Sequence, residues 1–246
     1  MSNQKYYAED LDAVPFSMTV DLMKRMLPSP LAYALAGWFR LRRLVGMPTK
    51  PRYGFGPVGS STDRQRDQMP PRPMSRWAAK LERLADLGFR PVAFAVPDLI
   101  GAKEAASALF LDQAGTTFAM LEWQRLVGAN GIQEAMPVEF DSYLADKSEV
   151  MTGLAAQEHL LFAEAIKIEF VDQLFLADKI SLKRGYEKHL QRIKDRQPIP
   201  CSLAAARGEH DRHSQLRFDA IMKLGLIREL SDREIAYVKQ QKLPEK

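Results

Sequence analysis

The chain has 246 residues, of which 46% are hydrophobic and 9% aromatic, a composition that allows a sizeable buried core. A single cysteine, Cys201, excludes an intramolecular disulfide and fits a reducing compartment. No stretch reaches the ~20 apolar residues that a membrane-spanning helix needs. The acidic start of the chain and its early prolines argue against a signal peptide, so we expect a cytoplasmic protein.

Charge is distributed unevenly along the chain. Residues 22–76 contain eleven Lys or Arg and two acidic residues, whereas residues 106–180 contain four basic and twelve acidic residues. The formal net charge of +4 therefore hides a basic segment next to an acidic one. A basic arm of this kind can fold back on an acidic body or reach an anionic surface.

The first predicted element is a cationic amphipathic helix over residues 30–45. Ser29-Pro30 is typical of a helix start, and Gly46 and Pro48 are typical of a helix end. Its apolar side would carry Leu31, Leu35, Trp38 and Val45. Residues 46–74 contain four glycines and six prolines and are expected to form a linker or an ordered coil. We therefore expect residues 1–74 to form a basic N-terminal arm.

Residues 75–230 are predicted to form an α+β domain. A helix over 76–87, started by Ser75 and ended by Gly88, precedes a series of strands. The predicted strands cover residues 89–96, 105–111, 116–125, 137–144 and 148–152. Later helices are predicted over 154–165, 182–195 and 202–224, while 166–171 could also be a strand, and 231–246 would be a polar tail with a short exposed helix.

Short connections between these strands favour an antiparallel meander. In 137–144, Val138 and Phe140 alternate with Glu139 and Asp141, which predicts a sheet with one buried and one wet face. The predicted fold is therefore α+β, with a single antiparallel sheet of four to five strands. Helices would pack on one face of it, in a roll or cystatin-like manner.

One segment matches a dinucleotide-binding pattern by its letters alone. Gly54-Phe55-Gly56-Pro57-Val58-Gly59 reads G-x-G-x-x-G, but that chemistry needs a strand before the loop and a helix after it. No strand is predicted before this segment and more coil follows it. We interpret it as part of the glycine-proline linker and expect no cofactor.

His210 and His213 lie three residues apart, on one face of a predicted helix. Two imidazoles so placed could share a metal, but catalytic zinc needs a third protein ligand. Cys201 and His189 are the only plausible additions, and no familiar spacing links them. We predict no metal site and expect the pair to form local hydrogen bonds.

Glu122, Glu139 and Asp141 could crowd one face of the sheet and divide acid and base roles. Alternating acids in a strand more often form its solvated face. Cys201, between prolines and a helix start, could be a stabilised thiolate or inert packing. The serine-nucleophile pattern G-x-S-x-G is absent from the sequence.

The basic arm is the remaining candidate, as a site for an anionic surface. Its predicted site residues are Lys24, Arg25, Trp38, Arg40, Arg42 and Arg43. Alternatively, the helix could dock on the protein's own acidic body. Phosphates with stacking on Tyr53, Phe55 or Trp77 are a third interpretation, although no nucleic-acid fold motif is present.

Part of the chain is similar to uncharacterised bacterial proteins. The similarity is carried by Trp77, by Leu84 with Leu87-Gly88-Phe89, by a meander ending near Thr152, and by Leu182, His189, Pro198, Leu203 and Arg207. It covers roughly residues 77–225 and implies an α+β unit of a helix, an antiparallel sheet and further helices. It implies no activity, and the basic arm falls outside it.

We therefore expect a noncatalytic interaction or ligand-binding module whose small-molecule ligand is unknown. The arm would clamp the body, mediate self-association or protein binding, or associate peripherally with the inner face of an anionic membrane. Two alternatives stay open. One is a hydrolase-type enzyme using His210 and His213, and the other is a nucleic-acid-binding accessory protein, whose affinity would fall steeply with salt.

Overall fold

The computed structural model describes residues 4–24, 27–45, 47, 49–128, 131–156 and 166–241. The α-helices in these residues are α1 (Phe16–Lys24), α2 (Ser29–Leu44), α3 (Pro71–Asp86), α4 (Leu182–Ile193), α5 (Ala206–Lys223) and α6 (Asp232–Gln240). The strands are β1 (Tyr7–Glu9), β2 (Gly54–Phe55), β3 (Thr62–Arg64), β4 (Arg90–Val96), β5 (Leu99–Ile100), β6 (Ala102–Leu111), β7 (Phe118–Gly128), β8 (Gly131–Ala135), β9 (Val138–Tyr143), β10 (Glu149–Ala155), β11 (Val171–Ala177) and β12 (Ile227–Glu229). Short 3-10 helices cover Leu11–Ala13 and Arg66–Gln68.

The strands form two sheets, so the prediction of a single sheet of four to five strands is wrong. The large sheet has eight strands in the order β11-β10-β9-β7-β6-β4-β3, with β8 paired to β7. The small sheet has four strands in the order β12-β1-β2-β5. The predicted antiparallel meander is present as β4, β6, β7, β9 and β10 at the centre of the large sheet.

The strands that were not predicted have only a weak strand pattern in their own sequences. β3 lies in the predicted linker and all three of its residues are exposed, so it carries no apolar alternation. β11 begins at the end of the ambiguous segment 166–171 and pairs in parallel with β10. The helix predicted over 154–165 is wrong at its start, because 154–155 belong to β10, and residues 157–165 lie outside the described residues.

Helices α3 and α4 cover one face of the large sheet, which we call the α3–α4 face. Its core consists of Trp77, Leu81 and Leu84 from α3 packed on strand residues that include Leu121, Trp123, Val138, Phe140 and Leu154. α3 ends as predicted at Gly88, whose φ of +84° suits glycine, and Phe89 N–H donates to the Leu84 carbonyl at 2.9 Å. The helix begins at Pro71, five residues before the predicted start, because prolines in a first turn lack an N–H that would be unpaired there anyway.

Helix α5 covers the opposite face, which we call the α5 face. The expectation of helices on one face only is therefore wrong. Ala206 of α5 packs with Leu109, Leu111, Phe118 and Tyr143. The alternating acids of β9 suggested a wet surface, but Asp141 is completely buried beneath this helix.

The small sheet joins distant parts of the chain around a second core. β1 pairs with β12 and with β2, so residues of the predicted arm share a sheet with residues near position 228. Tyr6, Ala8, Ile100, Leu230 and Val238 form this core. Val238 comes from α6, a helix in the segment predicted as a polar tail, and Ser231 and Glu234 form its capping box. The division between a separate arm and an α+β domain stays a prediction.

Candidate functional site

Helix α2 exposes its apolar side instead of burying it. Its buried positions are the small residues Ala32 and Ala36. At 100° per residue, Leu31, Trp38, Leu41 and Val45 lie within an arc of about 80° on the opposite side, and each is more than half exposed. We call these four residues the α2 stripe.

The basic residues predicted to bind an anionic surface take different positions around α2. Arg40 donates to the Val14 carbonyl at 3.2 Å, and Arg43 donates to the Asp12 carbonyl at 3.3 Å. Arg42 lies beside the α2 stripe and donates to the Met47 carbonyl at 3.3 Å. The side chains of Arg40 and Arg43 thus contact the N-terminal segment of the chain itself.

The other two predicted basic residues lie toward the start of this region. Lys24 is 3.8 Å from Asp21 and lies over the ring of Tyr33, 4.9 Å from its centroid. Arg25 lies outside the described residues. The structure therefore brings Trp38 and Arg42 together on the outward side of α2, while Arg40 and Arg43 face inward. None of the described helices has the length and apolar character needed to cross a bilayer.

A second group of functional side chains lies on the α5 face, around the guanidinium of Arg217. Its Nη1 lies 3.3 Å from Glu149 Oε1 and 3.7 Å from Glu139 Oε2, and its Nη2 lies 3.6 Å from Asp141 Oδ2. We call these four residues the carboxylate cluster. Strand register explains the grouping, because Tyr143 pairs with Glu149 and side chains of one face recur at every second residue.

Two members of the carboxylate cluster are fully buried without a good hydrogen bond. Among the described residues, no hydrogen-bond partner reaches either carboxylate oxygen of Asp141 or Glu149. Their distances to Arg217 exceed the ~2.8 Å of strong charge-assisted hydrogen bonds. Burying a charge without such bonds costs free energy, so the ionised forms of these two carboxylates are destabilised.

Burial and neighbouring charges change the pKa of Asp141, Glu149, Glu122 and Arg217. It raises the pKa of Asp141 well above the usual range, against the opposing charge of Arg217, and it raises the pKa of Glu149. Burial, with the charge of Glu139, raises the pKa of Glu122 to about 7. Burial alone would lower the pKa of the Arg217 guanidinium, but the carboxylates of Asp141, Glu149 and Glu139 raise it overall.

Arg217 and Glu139 also line a cavity of about 370 Å³, which we call the α5 cavity. It lies between the large sheet, α5 and the small sheet, from which Phe55 of β2 and Ile227 of β12 contribute. Most of its walls are apolar, contributed by Phe55, Val58, Met120, Met151, Ile166, Ile168, Phe175, Phe218, Ile221 and Ile227. The glycine-proline segment 54–59 thus forms part of a cavity wall, and strand β3 rather than a helix follows it.

His210 and His213 lie on the buried side of α5, beside Tyr143. The hydroxyl of Tyr143 and Nδ1 of His210 are 3.0 Å apart, and the ring of Tyr143 stacks on that of His213 at 3.5 Å. Burial lowers the pKa of His210 to about 3 and that of His213 to about 4. Imidazoles with such low pKa values are weak bases at neutral pH.

The additional metal ligands considered for the His pair are not assembled around it. His189 lies on the α3–α4 face, between Ser142 Oγ at 2.9 Å and Thr152 Oγ1 at 3.0 Å. Cys201 shares a cavity of about 330 Å³ with His213, but burial and the charge of Glu209 raise the pKa of its thiol. The described part of the chain contains no group of three His, Cys, Asp or Glu side chains that could hold a metal ion.

The grouping of Glu122, Glu139 and Asp141 on one face was foreseen, but Arg217 and Glu149 were not. Arg217 follows His210 by seven residues and His213 by four, so all three share one side of a helix. That spacing was the available signal, since three polar residues on a buried helix side require partners. Glu149 carried a weaker signal, because its strand was predicted without a buried face.

Comparison with known proteins gave no match, because no family model, curated protein or solved structure is similar to this chain at a significant level. The similarity to uncharacterised bacterial proteins stays a prediction.

Proposed function

We propose that the protein is a noncatalytic binding module that attaches peripherally to an anionic membrane surface through α2. The observation that carries this proposal is the α2 stripe, in which Leu31, Trp38, Leu41 and Val45 are exposed side by side. Contiguous exposed apolar side chains on a helix are typical of a surface that meets a lipid or a partner.

Charge favours a lipid surface over a second copy of the chain. Arg42 lies next to the stripe, and residues 22–76 carry eleven basic residues against two acidic ones. Two copies that met through this surface would bring like charges together, whereas anionic headgroups would neutralise them. Leu44 and Met47 extend the apolar surface at the end of the helix, where they are 84% and 57% exposed.

The inward arginines support the same orientation. Arg40 and Arg43 hold α2 against the N-terminal segment by their bonds to the Val14 and Asp12 carbonyls. Because these contacts fix the basic and small-residue side of α2 toward the protein, the apolar stripe faces outward. These contacts lie within the predicted arm and not on the acidic body, and they leave the α2 stripe free to meet a surface.

Vesicle co-sedimentation tests this proposal. The full chain should bind vesicles containing phosphatidylglycerol, bind phosphatidylcholine vesicles much less, and be released as salt rises. Trp38→Ala with Leu41→Ala should weaken binding at least about tenfold, since both remove apolar area from the contact. Arg42→Gln should weaken it about fivefold, because one cation near an anionic surface contributes about 1 kcal/mol.

Matched controls come from exposed side chains elsewhere. Leu216→Ala with Leu224→Ala removes two exposed leucines of the α5 region, and Lys183→Gln removes an exposed cation of α4. Neither should change vesicle binding. Equal binding to neutral vesicles, or no effect of the α2 changes, would overturn the proposal. If the protein did not bind vesicles and the α2 substitutions abolished its self-association, the surface that meets the α2 stripe would be a second copy of the chain.

The chain also carries its own optical reporter for this contact. It has three tryptophans, and Trp77 and Trp123 are fully buried while Trp38 is 51% exposed. A blue shift of tryptophan emission on vesicle addition, with protection from acrylamide, would therefore report Trp38 entering the membrane interface.

A further inference from the structure

We propose that the α5 cavity binds a small organic cation, an amine or guanidine carried on an apolar body. This site is separate from α2 and does not depend on membrane attachment. The cavity volume of about 370 Å³ falls within the roughly 300–1,000 Å³ of small-molecule sites. Such sites combine apolar walls with a few polar groups that fix the ligand, and the α5 cavity has that composition.

The apolar walls indicate the body of the ligand. Met120 and Met151 contribute from the large sheet, and Phe218 and Ile221 contribute from α5. Two methionines give this wall a soft, adaptable surface that can follow an alkyl or aromatic group.

The charged groups beside the cavity indicate the charge of the ligand's head group. Three carboxylates lie within 4 Å of one guanidinium, that of Arg217, so the ionised cluster has an excess of negative charge. Glu139 is the carboxylate that lines the cavity, and its side chain is 26% exposed. A cation beside Glu139 would offset the excess, whereas an anion would be a fourth negative group around Arg217.

The unpartnered oxygens of Asp141 and Glu149 point to the same head group. Glu139 shares the Arg217 guanidinium with these two carboxylates, at 3.7 Å. A ligand cation paired with Glu139 would free Arg217 to move closer to Asp141 and Glu149. Their buried oxygens, which lack hydrogen-bond partners among the described residues, would then gain charge-assisted bonds.

Proton release should accompany this binding. Burial raises the pKa of Asp141 and Glu149, and a bound cation would lower both again by favouring their ionised forms. By linkage, the cation should bind more tightly as pH rises above the usual carboxylate range, and protons should leave the protein on binding.

Calorimetry with three probes of equal chain length tests the proposal: octylamine, 1-octanol and octanoate, with the full chain at pH 8. We expect octylamine to bind at least about tenfold more tightly than octanol, and octanoate to bind least. Glu139→Gln should reduce octylamine affinity to that of octanol and leave octanol affinity unchanged. Glu187→Gln, at an exposed glutamate of α4, is the matched control and should change neither.

Each outcome decides one part of the proposal. Ile221→Trp, which fills the cavity, should abolish binding of all probes while thermal unfolding shows the variant to be folded. Octanoate affinity equal to that of octylamine, or an unchanged preference in Glu139→Gln, would overturn the assignment of a cation. Binding by none of the probes, or binding that survives Ile221→Trp, would overturn the cavity itself as the site.

Discussion

Glu122 is a single carboxyl group whose ionisation should be visible in the stability of the whole protein. It lies on the α5 face, where burial and the neighbouring charge of Glu139 raise its pKa to about 7 from the usual 4.5. The folded state therefore binds this proton more tightly than the unfolded state does. Stability from this group is present at low pH and is lost as pH rises from about 4.5 to about 7.

We therefore predict that Glu122→Gln stabilises the protein at pH 8.5 and not at pH 4.5. The expected gain in the free energy of unfolding at pH 8.5 is about 1–2 kcal/mol, because glutamine avoids the cost of a partly buried charge. Urea unfolding at the two pH values measures it. Glu82→Gln, at an exposed position of α3, is the control, and an equal effect of both substitutions would contradict the raised pKa of Glu122.

The buried histidines change the stability of the fold with pH in the direction opposite to that of Glu122. Burial lowers the pKa of His189 to about 3, and the positive charge of Arg192 adds to the effect. The ring sits between the hydroxyls of Ser142 and Thr152. Its contribution to stability is therefore present above pH 6.5 and is lost as pH falls toward 3. As pH rises from about 4.5 to 6.5, carboxylates with a raised pKa lower the stability of the fold, while histidines with a lowered pKa increase it. The two effects on stability therefore oppose each other in this range.

At the scale of helices, two glycines show how the same residue serves different purposes. Gly185 of α4 lies against the sheet, where an added Cβ would come within 2.8 Å of a methyl group of Leu154. Gly208 of α5 has no atom within 4 Å of that position. The first glycine allows a close approach of helix and strand, and the second only weakens its helix.

We predict opposite effects of alanine at these two positions. Gly208→Ala should raise the free energy of unfolding by about 0.5–1 kcal/mol, because alanine restricts the unfolded chain and favours the helix. Gly185→Ala should lower it by about 1–3 kcal/mol, because the buried side chain of Leu154 must shift. Chemical denaturation of the two variants decides the matter, and a stabilising Gly185→Ala would show that α4 is not closely packed on β10.

Helix boundaries and helix faces were predictable to different degrees. The sequence located α2 and α4 to within one or two residues, because Pro30, Ser181 and Gly46 act on their own neighbours along the chain. It did not show which side of α2 faces the interior. Ala32 and Ala36 pack closely because they are small, and a pattern of large apolar residues cannot reveal that.

At the scale of the molecule, two cores suggest two levels of stability. The large sheet is covered by helices on both faces, whereas the small sheet relies on a core that includes Ile100, Leu230 and Val238. Regions with fewer buried apolar contacts open more readily than the rest of a protein. The small sheet should therefore open before the large one.

Amide hydrogen exchange of Val238→Ala tests this order. Exchange in β1, β2 and β5 should become about tenfold faster, corresponding to about 1.4 kcal/mol, while β7 and β9 keep their protection. Arg233→Ala, at an exposed position of the same helix, should leave both sheets unchanged. Equal acceleration in β7 and β1 would show that the two sheets open as one unit.

The extent of the fold that could be predicted follows from the range of the interactions. The central meander came from alternation within β4 and β9 and from the β-forming residues of β7, which local sequence encodes. The small sheet could not be predicted, because the three residues of β1 find their partner in β12 near the other end of the sequence. The same limit applied to the carboxylate cluster, where Arg217 of α5 meets carboxylates that precede it by many residues.

The pairing of β1 with β12 also affects the order in which strands can pair during synthesis. Lys5, next to β1, lies 224 residues before its ion-pair partner Glu229. During synthesis, the strands of the meander can pair as soon as each neighbour emerges, and β1 can pair with β2, but the other edge of β1 stays open until residues 227–229 of β12 emerge. A long unpaired strand would be an aggregation hazard during that interval. The three-residue length of β1 keeps this open edge small until β12 emerges, which limits the risk of pairing with another chain in the meantime.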